Sequence, residues 1–347
     1  MPATAVADEL RASGAEVSFL GTRERIEAEL VPAAGYEIDF LKVRGIDRSN
    51  PLRAAAAAAE AVAAVGTARG ALRRRDADVV LGGGGFVAGP AGLAAVLTRT
   101  PLVLTEADSH LGLANRLLAG RARRVCLSFP IEGREGEPYL LTGRPVPAAV
   151  LRADRAGARR RFHVAADARC LLVMGGSQGA HSINTAAIEA FAEGEWGRER
   201  DFHVLHLAGR RDYEGLKQRL ASAANADRYT LLSYEPDLGD VLAACDLVLA
   251  RSGGSIFEVT AAGRPAILVP YPYATADHQS TNAAWMAEAG AAETIEDSAL
   301  TAALLAERVA ALLGDGSRLD AMSAASTALA RPDAARKIAD EVLAAIQ

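Results

Sequence analysis

Two stretches far apart in the chain spell the same device: Asp78–Gly85, DVVLGGGG, and Asp246–Gly254, DLVLARSGG. In each, an acid opens a short run of Val and Leu and a glycine turn follows. A small-residue stretch comes next, FVAGPAGLAAVL after the first and SIFEVTAAG after the second. A second apolar run then begins at proline, Pro101-Leu-Val-Leu or Pro265-Ala-Ile-Leu-Val. Short, near-continuous apolar runs read as strands buried on both faces, and such strands alternating with helices make a parallel sheet. The two stretches are therefore equivalent strand–turn–helix–strand units in two related halves. Ligands of such sheets bind beyond the carboxyl ends of the strands, where these glycines fall.

The same alternation extends outward from both. Apolar runs lie at 15–21, 36–43, 77–83, 100–106, 122–130 and 137–143, and a second series at 168–176, 202–209, 228–235, 245–254 and 264–272. The prediction is an α/β protein of two doubly wound, Rossmann-like domains facing each other across a cleft. Residues 1–144 form the first domain and 163–331 the second. Residues 145–162 read as a linker with Pro145, Pro147 and five arginines (Arg152, Arg155, Arg159, Arg160, Arg161). Such a basic run is most simply a solvated face. A terminal helix, 332–347, is expected to pack back on the first domain.

Composition narrows the function. A chain of 347 residues that is 50% hydrophobic and 23% charged is a folded two-domain protein. A net charge of −5 argues against general nucleic-acid binding. Cys126, Cys170 and Cys245 are too few and too scattered for a disulfide framework or a zinc site and read as buried thiols. No run of about 18 apolar residues suggests a membrane span. The opening MPATAVADELRASG lacks a charged-then-apolar export pattern, so a cytoplasmic location is expected.

Four polar constellations punctuate the strand ends. Gly175-Gly176-Ser177-Gln178-Gly179-Ala180 follows strand CLLVM directly. A glycine turn opening a helix presents amide N–H groups to a phosphate, whereas the bland reading is a tight turn with no ligand. The Walker lysine and the GxGxxG spacing are both missing, so neither a P-loop nor a dinucleotide site is supported. Arg251-Ser252-Gly253-Gly254-Ser255 would hold a diphosphate on its amides, with Arg251 adding charge. Glu258, one turn into the next helix, could accept from both hydroxyls of a ribose, although a carboxylate there is also ordinary dipole compensation. Asp277-His278-Gln279-Ser280, with Asn282, reads as hydroxyl recognition, and with no third ligand nearby no metal is expected. In the first half, Gly84, Gly85 and Phe86 form a turn. Glu106, Asp108 and His110 end the next strand as candidate general bases, and Asn115 comes a turn later. A lone loop histidine is more often simply solvated.

In this order the motifs resemble a known family. FLGTRERIEAELVPAAGYEIDF, DVVLGGGGFVAGPAGLAA, GLANRLLA, GGSQGAHSIN, RSGGSIFEVTAAGRPAILVP, ADHQSTNA and PDAARKIAD are similar to segments of bacterial glycosyltransferases. Those enzymes add N-acetylglucosamine to undecaprenyl-pyrophosphoryl-N-acetylmuramoyl-pentapeptide (lipid I), giving lipid II for peptidoglycan. The resemblance implies the GT-B fold, inversion at the anomeric carbon, no cofactor and no carboxylate-held metal. It places UDP-N-acetylglucosamine on Ser177, Gln178, Asn184, Arg251, Gly253, Gly254, Ser255, Glu258, His278 and Gln279. It places the acceptor beside Gly84, Gly85, Phe86 and Asn115. The family's His-Glu-Gln-Asn reads Thr105-Glu106-Ala107-Asp108 here, and its Gly-Asn-Pro-Val-Arg reads Gly143-Arg144-Pro145-Val146-Pro147, so Arg144 stands in for the missing arginine.

It also implies a peripheral location on the cytoplasmic face of the membrane, with lipid I and other cell-wall synthesis proteins as partners. Arg69, Arg73, Arg74 and Arg75 are the expected contacts to anionic headgroups. The helix from Pro2 opens without the strand that a parallel unit needs before it. Pro2–Leu10 match the family's segment just after its first strand and a glycine loop ending in histidine, so the functional start is expected upstream of Met1. Two other readings stay open: a UDP-sugar 2-epimerase on the same fold, and a nucleotide-sugar-binding protein without turnover.

Overall fold

The computed structural model describes residues 2–44, 51–176, 179–194, 202–274 and 277–346, with only the backbone of residues 51–56. The chain divides into two units. Unit 1 is Met1–Pro145 with Arg331–Gln347, and unit 2 is Val146–Ala330.

Unit 1 opens with α1 (Pro2–Ala12), β1 (Ser18–Gly21), α2 (Glu27–Ala33), β2 (Glu37–Phe40) and α3 (Pro51–Arg74). β3 (Val80–Gly82), α4 (Gly85–Thr98), β4 (Leu102–Glu106), α5 (Leu113–Leu118), β5 (Arg124–Leu127) and β6 (Tyr139–Leu141) complete it. β1 pairs with β2, and β3-β4-β5-β6 form a second ladder in chain order, every pair parallel. Alternation along β4 sends Leu102 and Leu104 to one face and Val103 to the other, all buried. Leu102 and Leu104 pack with Ala64, Ala68, Ala94 and Ala95, so the alanine-rich α3 and α4 are small because they cover a sheet closely. Each such leucine contributes about 1.5–3 kcal/mol on burial.

Unit 2 contains α6 (Ala148–Arg152), α7 (Arg155–Arg161), β7 (Arg169–Met174), α8 (His181–Ala187), β8 (Phe202–Leu207), α9 (Tyr213–Ala221) and β9 (Tyr229–Leu232). It continues with α10 (Leu238–Ala244), β10 (Leu247–Ala250), α11 (Ile256–Ala261), β11 (Ala266–Leu268), α12 (His278–Glu288), β12 (Ala292–Thr294), α13 (Ala302–Leu313) and α14 (Gly316–Leu329). The six strands run in the order β12-β11-β10-β7-β8-β9, all parallel. β7 comes first in the chain, and the sheet grows from it in both directions. The gap between β7 and β10 is therefore the topological switch point, where such sheets open a crevice for ligand. Finally α15 (Ala334–Ala344) belongs to unit 1, where Ile338 and Val342 cluster with Val6, Leu10, Val103 and Cys126. All three cysteines are buried free thiols.

Three expectations change. The 145–162 stretch is not a linker: α6 and α7 pack against α10 inside unit 2. Arg152, Arg160 and Arg161 are exposed, but the stretch is not wholly a solvated face. Arg159 is buried, pairs with Asp246 at 2.9 Å and donates to the carbonyls of Ala165, Ala166 and Ala168. Arg155 reaches Asp246 at 2.6 Å, and Arg161 pairs with Glu235 and Asp240. On unit 1, Arg74, which is exposed, and Arg75, which is half-buried, both have protein carboxylates as partners. Arg74 pairs with Asp39, and Arg75 with Asp39 and Glu37. Among the described residues no helix is long and apolar enough to cross a membrane.

Candidate functional site

In unit 2 the glycine loop after β7 and the glycine turn after β10 leave adjacent strand ends at the switch point. Ser177 and Gln178 lie outside the described residues. The loop around them is set by close approach: a Cβ on Gly175 would lie 2.3 Å from the Ala180 nitrogen, and one on Gly179, at φ +79°, 2.3 Å from the Ala208 carbonyl oxygen. Only glycine fits either place.

Asn184, grouped with the donor-binding residues as a support of their loop, is fully buried and its amide is spent on protein. Nδ2 donates to the Ala208 carbonyl at 2.8 Å and to Asp212 at 2.9 Å, so Oδ1 faces His206 Nε2, 2.9 Å away. Burial pushes the His206 imidazole down to about 3, so the ring is neutral. Nε2 then carries the proton and donates to Asn184, and Nδ1 accepts from the Tyr229 hydroxyl at 2.6 Å. The directed chain Tyr229–His206–Asn184 ends on the Ala208 carbonyl that Gly179 touches. It positions the loop and does not face a ligand.

Arg251, expected on a diphosphate, is likewise turned into the protein. Nη1 lies 2.6 Å from Asp297 Oδ1 and donates to the carbonyls of Val269 and Pro270, each at 3.1 Å. Nη2 donates to Ser182 Oγ at 2.9 Å, and that hydroxyl donates to Asp297 at 2.6 Å. The next residue, Ser252, is buried. Its hydroxyl donates to the Gln279 carbonyl at 2.7 Å, and its own carbonyl accepts from Asn282 Nδ2 at 2.9 Å. Gln279 Oε1 accepts from the Tyr271 amide at 3.0 Å, and its Nε2 lies 3.8 Å from where a Gly253 side chain would start. The turn Gly253–Ser255 and the head of α12, with His278, are thus held side by side. Glu258 is half-buried in the first turn of α11.

In unit 1, Gly84 and Gly85 open α4 and Phe86 follows, its ring under the Arg25 guanidinium at 5.2 Å. Glu106 ends β4 buried, and its carboxylate accepts from the amides of Asp108 (3.2 Å) and Gly112 (2.8 Å) and from Asn115 Nδ2 (2.8 Å). Three N–H donors occupy both oxygens, so the carboxylate is spent on holding the loop. Glu106 is the bolt that closes the loop carrying Asp108, half-buried, and His110, exposed. Asn115 also donates to the Thr105 carbonyl at 2.9 Å, and its Nδ2 lies 3.8 Å from a Cβ on Gly84. Arg144 comes after β6 and is half-buried. Among the described residues no group of three His, Cys, Asp or Glu could hold a metal.

His206, Tyr229 and Asp297 carry no motif, and Ser182 and Ser252 lie inside motifs without being singled out there. The available signal was polarity inside apolar runs, as in FHVLHLAG, where a histidine sits amid strand residues.

Two parallel α/β units, the second with glycine turns at its switch point, define the GT-B fold. Residues 1–127 match the glycosyltransferase family 28 N-terminal domain, and residues 170–338 its C-terminal domain. The UDP-N-acetylglucosamine--N-acetylmuramyl-(pentapeptide) pyrophosphoryl-undecaprenol N-acetylglucosamine transferase of Methylococcus capsulatus is 41% identical, over 97% of this chain and 93% of its own. The transferase of the same name from Moorella thermoacetica is 38% identical over 100% and 95%. The crystal structure of MurG from Acinetobacter baumannii superposes with a TM-score of 0.78 at 29% identity, covering 99% of this chain and 95% of that one. The chain belongs to this family of lipid-linked N-acetylglucosamine transferases within glycosyltransferase family 28.

Proposed function

We propose that the chain transfers N-acetylglucosamine from UDP-N-acetylglucosamine to the C4 hydroxyl of the muramoyl sugar of lipid I, giving lipid II with inversion. The observation that carries the reading is the pair of glycine turns on adjacent strand ends at the unit 2 switch point. Backbone amides of the 175–180 loop and of Gly253–Ser255 hold the diphosphate, and Glu258 accepts from the ribose hydroxyls. His278 and Gln279 face the sugar hydroxyls. In unit 1, Gly84, Gly85, Phe86, Asn115 and Arg144 line the acceptor. Asp108 or His110, on the loop that Glu106 closes, takes the hydroxyl proton. As it leaves, the oxygen bonds to the anomeric carbon and the bond to the diphosphate breaks. UDP departs with its developing charge on the amides. Radiolabelled UDP-N-acetylglucosamine with a lipid I analogue tests the reading: label in lipid supports transfer, free altered sugar an epimerase, and binding without turnover neither.

The acceptor is membrane-bound, and unit 1 carries the features of a peripheral protein on the cytoplasmic face. Leu93 and Leu97 on α4, and Leu113 and Leu117 on α5, are large exposed apolar residues at i, i+4 spacing on helices that pack together. Just past the end of α4, Arg99, Arg121 and Arg123 line a concavity of about 210 Å³. Apolar side chains rimmed by arginine suit an anionic lipid surface. Sedimentation with anionic vesicles that fails with neutral ones is the expected result.

A further inference from the structure

We infer that Arg251, with Ser182 and Asp297, is a brace that positions the donor loops and does not contact the diphosphate; the inference rests on the donor-site reading above. The three side chains close a cycle: Arg251 donates to Ser182 and forms an ion pair with Asp297, and Ser182 donates to Asp297. Their places in the sheet make the cycle a cross-tie. Arg251 follows β10, Ser182 sits on α8 after β7, Asp297 follows β12, and the Val269 and Pro270 carbonyls follow β11. In the order β12-β11-β10-β7 these are four successive strand ends. The guanidinium also lies over the Tyr271 ring at 5.4 Å. One cation thus fixes the spacing between both glycine turns and the loop leading into α12.

Its charge is already met. Asp297 lies at 2.6 Å, and the Arg251 side chain is only 12% exposed. A direct contact to diphosphate would require breaking this ion pair and leaving the Val269 and Pro270 carbonyls without their donor, a large penalty for partly buried groups. A brace keeps every bond and acts by holding the backbone amides where they are.

The two roles predict opposite signs for one substitution. If Arg251 were the diphosphate's counter-charge, Asp297 would compete for it, and Asp297→Ala would bind UDP as tightly as the parent or more tightly. As a brace, Asp297→Ala loosens the strand ends and weakens UDP by about tenfold or more, the scale of a lost charged hydrogen bond. The measurement is UDP titration calorimetry on the full chain, together with separate KM values for donor and lipid I analogue. The donor KM rises while the acceptor KM holds, a split that general loss of structure would not give. Ser182→Ala should act in the same direction and add little to Asp297→Ala, because both open one cycle. Ser182→Thr should restore binding. If Asp297→Ala fails to fold, Asp297→Asn, which keeps the shape and removes the charge, carries the same test. Glu258→Ala is the control: weaker UDP binding there with unchanged binding in the Asp297 variants overturns the brace alone. Unchanged binding in both overturns the donor site and the brace with it.

Discussion

Acid should destabilise unit 2 through a single buried imidazole. Burial holds His206 neutral, down to about 3, whereas an ordinary histidine titrates near 6.5. Unfolding therefore takes up a proton at any pH between these values. The stability that comes from keeping the ring neutral is whole above about 6.5 and falls as pH drops toward 3. At about 1.4 kcal/mol per pH unit below 6.5, acidification from pH 7 to pH 5 costs roughly 2 kcal/mol. Of the neighbouring groups one behaves differently and one alike. Asp212, packed beside Asn184, is lowered from the ordinary aspartate value and titrates below the window. His203, on the same strand, is also lowered by burial and shifts stability in the same direction, so the experiment must be a difference between variants. His206→Gln keeps an amide between Tyr229 and Asn184 but cannot titrate. Urea unfolding read by tryptophan fluorescence isolates unit 2, because Trp196 and Trp285 both fall within Val146–Ala330. The parent should lose roughly 2 kcal/mol more than His206→Gln between pH 7 and pH 5. Equal losses would refute the buried neutral imidazole and the hydrogen-bond direction derived from it.

Glu258→Ala should weaken UDP by about 1–3 kcal/mol in calorimetry, and unchanged affinity would remove the ribose contact. Replacing Leu97 and Leu117 together by Glu should cut sedimentation with anionic vesicles by more than about tenfold, since each leucine contributes about 1.5–3 kcal/mol when buried in lipid. Retained sedimentation would move the membrane surface elsewhere. Asp246→Ala should destabilise unit 2 by about 3–5 kcal/mol in urea melts, because it strands the buried Arg159 and frees the Cys170 amide. A loss below about 1 kcal/mol would mean the pairs are as weak as surface ones.

The architecture was legible because buried parallel strands announce themselves as apolar runs, and all eleven runs contain a strand. β12 is hard to see in the sequence because Ala292-Glu293-Thr294 is short and charged. Glu293 sits on an edge strand, where its carboxylate meets Arg308 and Arg318. The arginine run misleads for a different reason. Its partners Asp246 and Glu235 lie 87 and 74 residues further along, and no local pattern tells a solvated cation from one whose acid arrives by folding. The glycine turns could be read directly, since the close approaches at Gly175 and Gly179 need glycine whatever surrounds them. The side chains around them could not. Glu106, Asn184 and Arg251 are residue types that serve a site equally well by touching a ligand or by holding the loop that does. Only their partners decide, and in all three cases the partners are protein.

The echo between the halves goes deeper than the motifs that revealed it. In unit 1 a strand, a glycine turn, a helix and a strand lead to Asn115 on α5; in unit 2 the same succession from β10 leads to Asn282 on α12. Each asparagine is buried, and each spends its Nδ2 on a backbone carbonyl near its glycine turn, Thr105 or Ser252. Each also leaves its Oδ1 without a hydrogen-bond partner among the described residues. Exchange of either asparagine for an apolar residue of similar size would leave the Thr105 or the Ser252 carbonyl without this donor, a cost of about 1–3 kcal/mol.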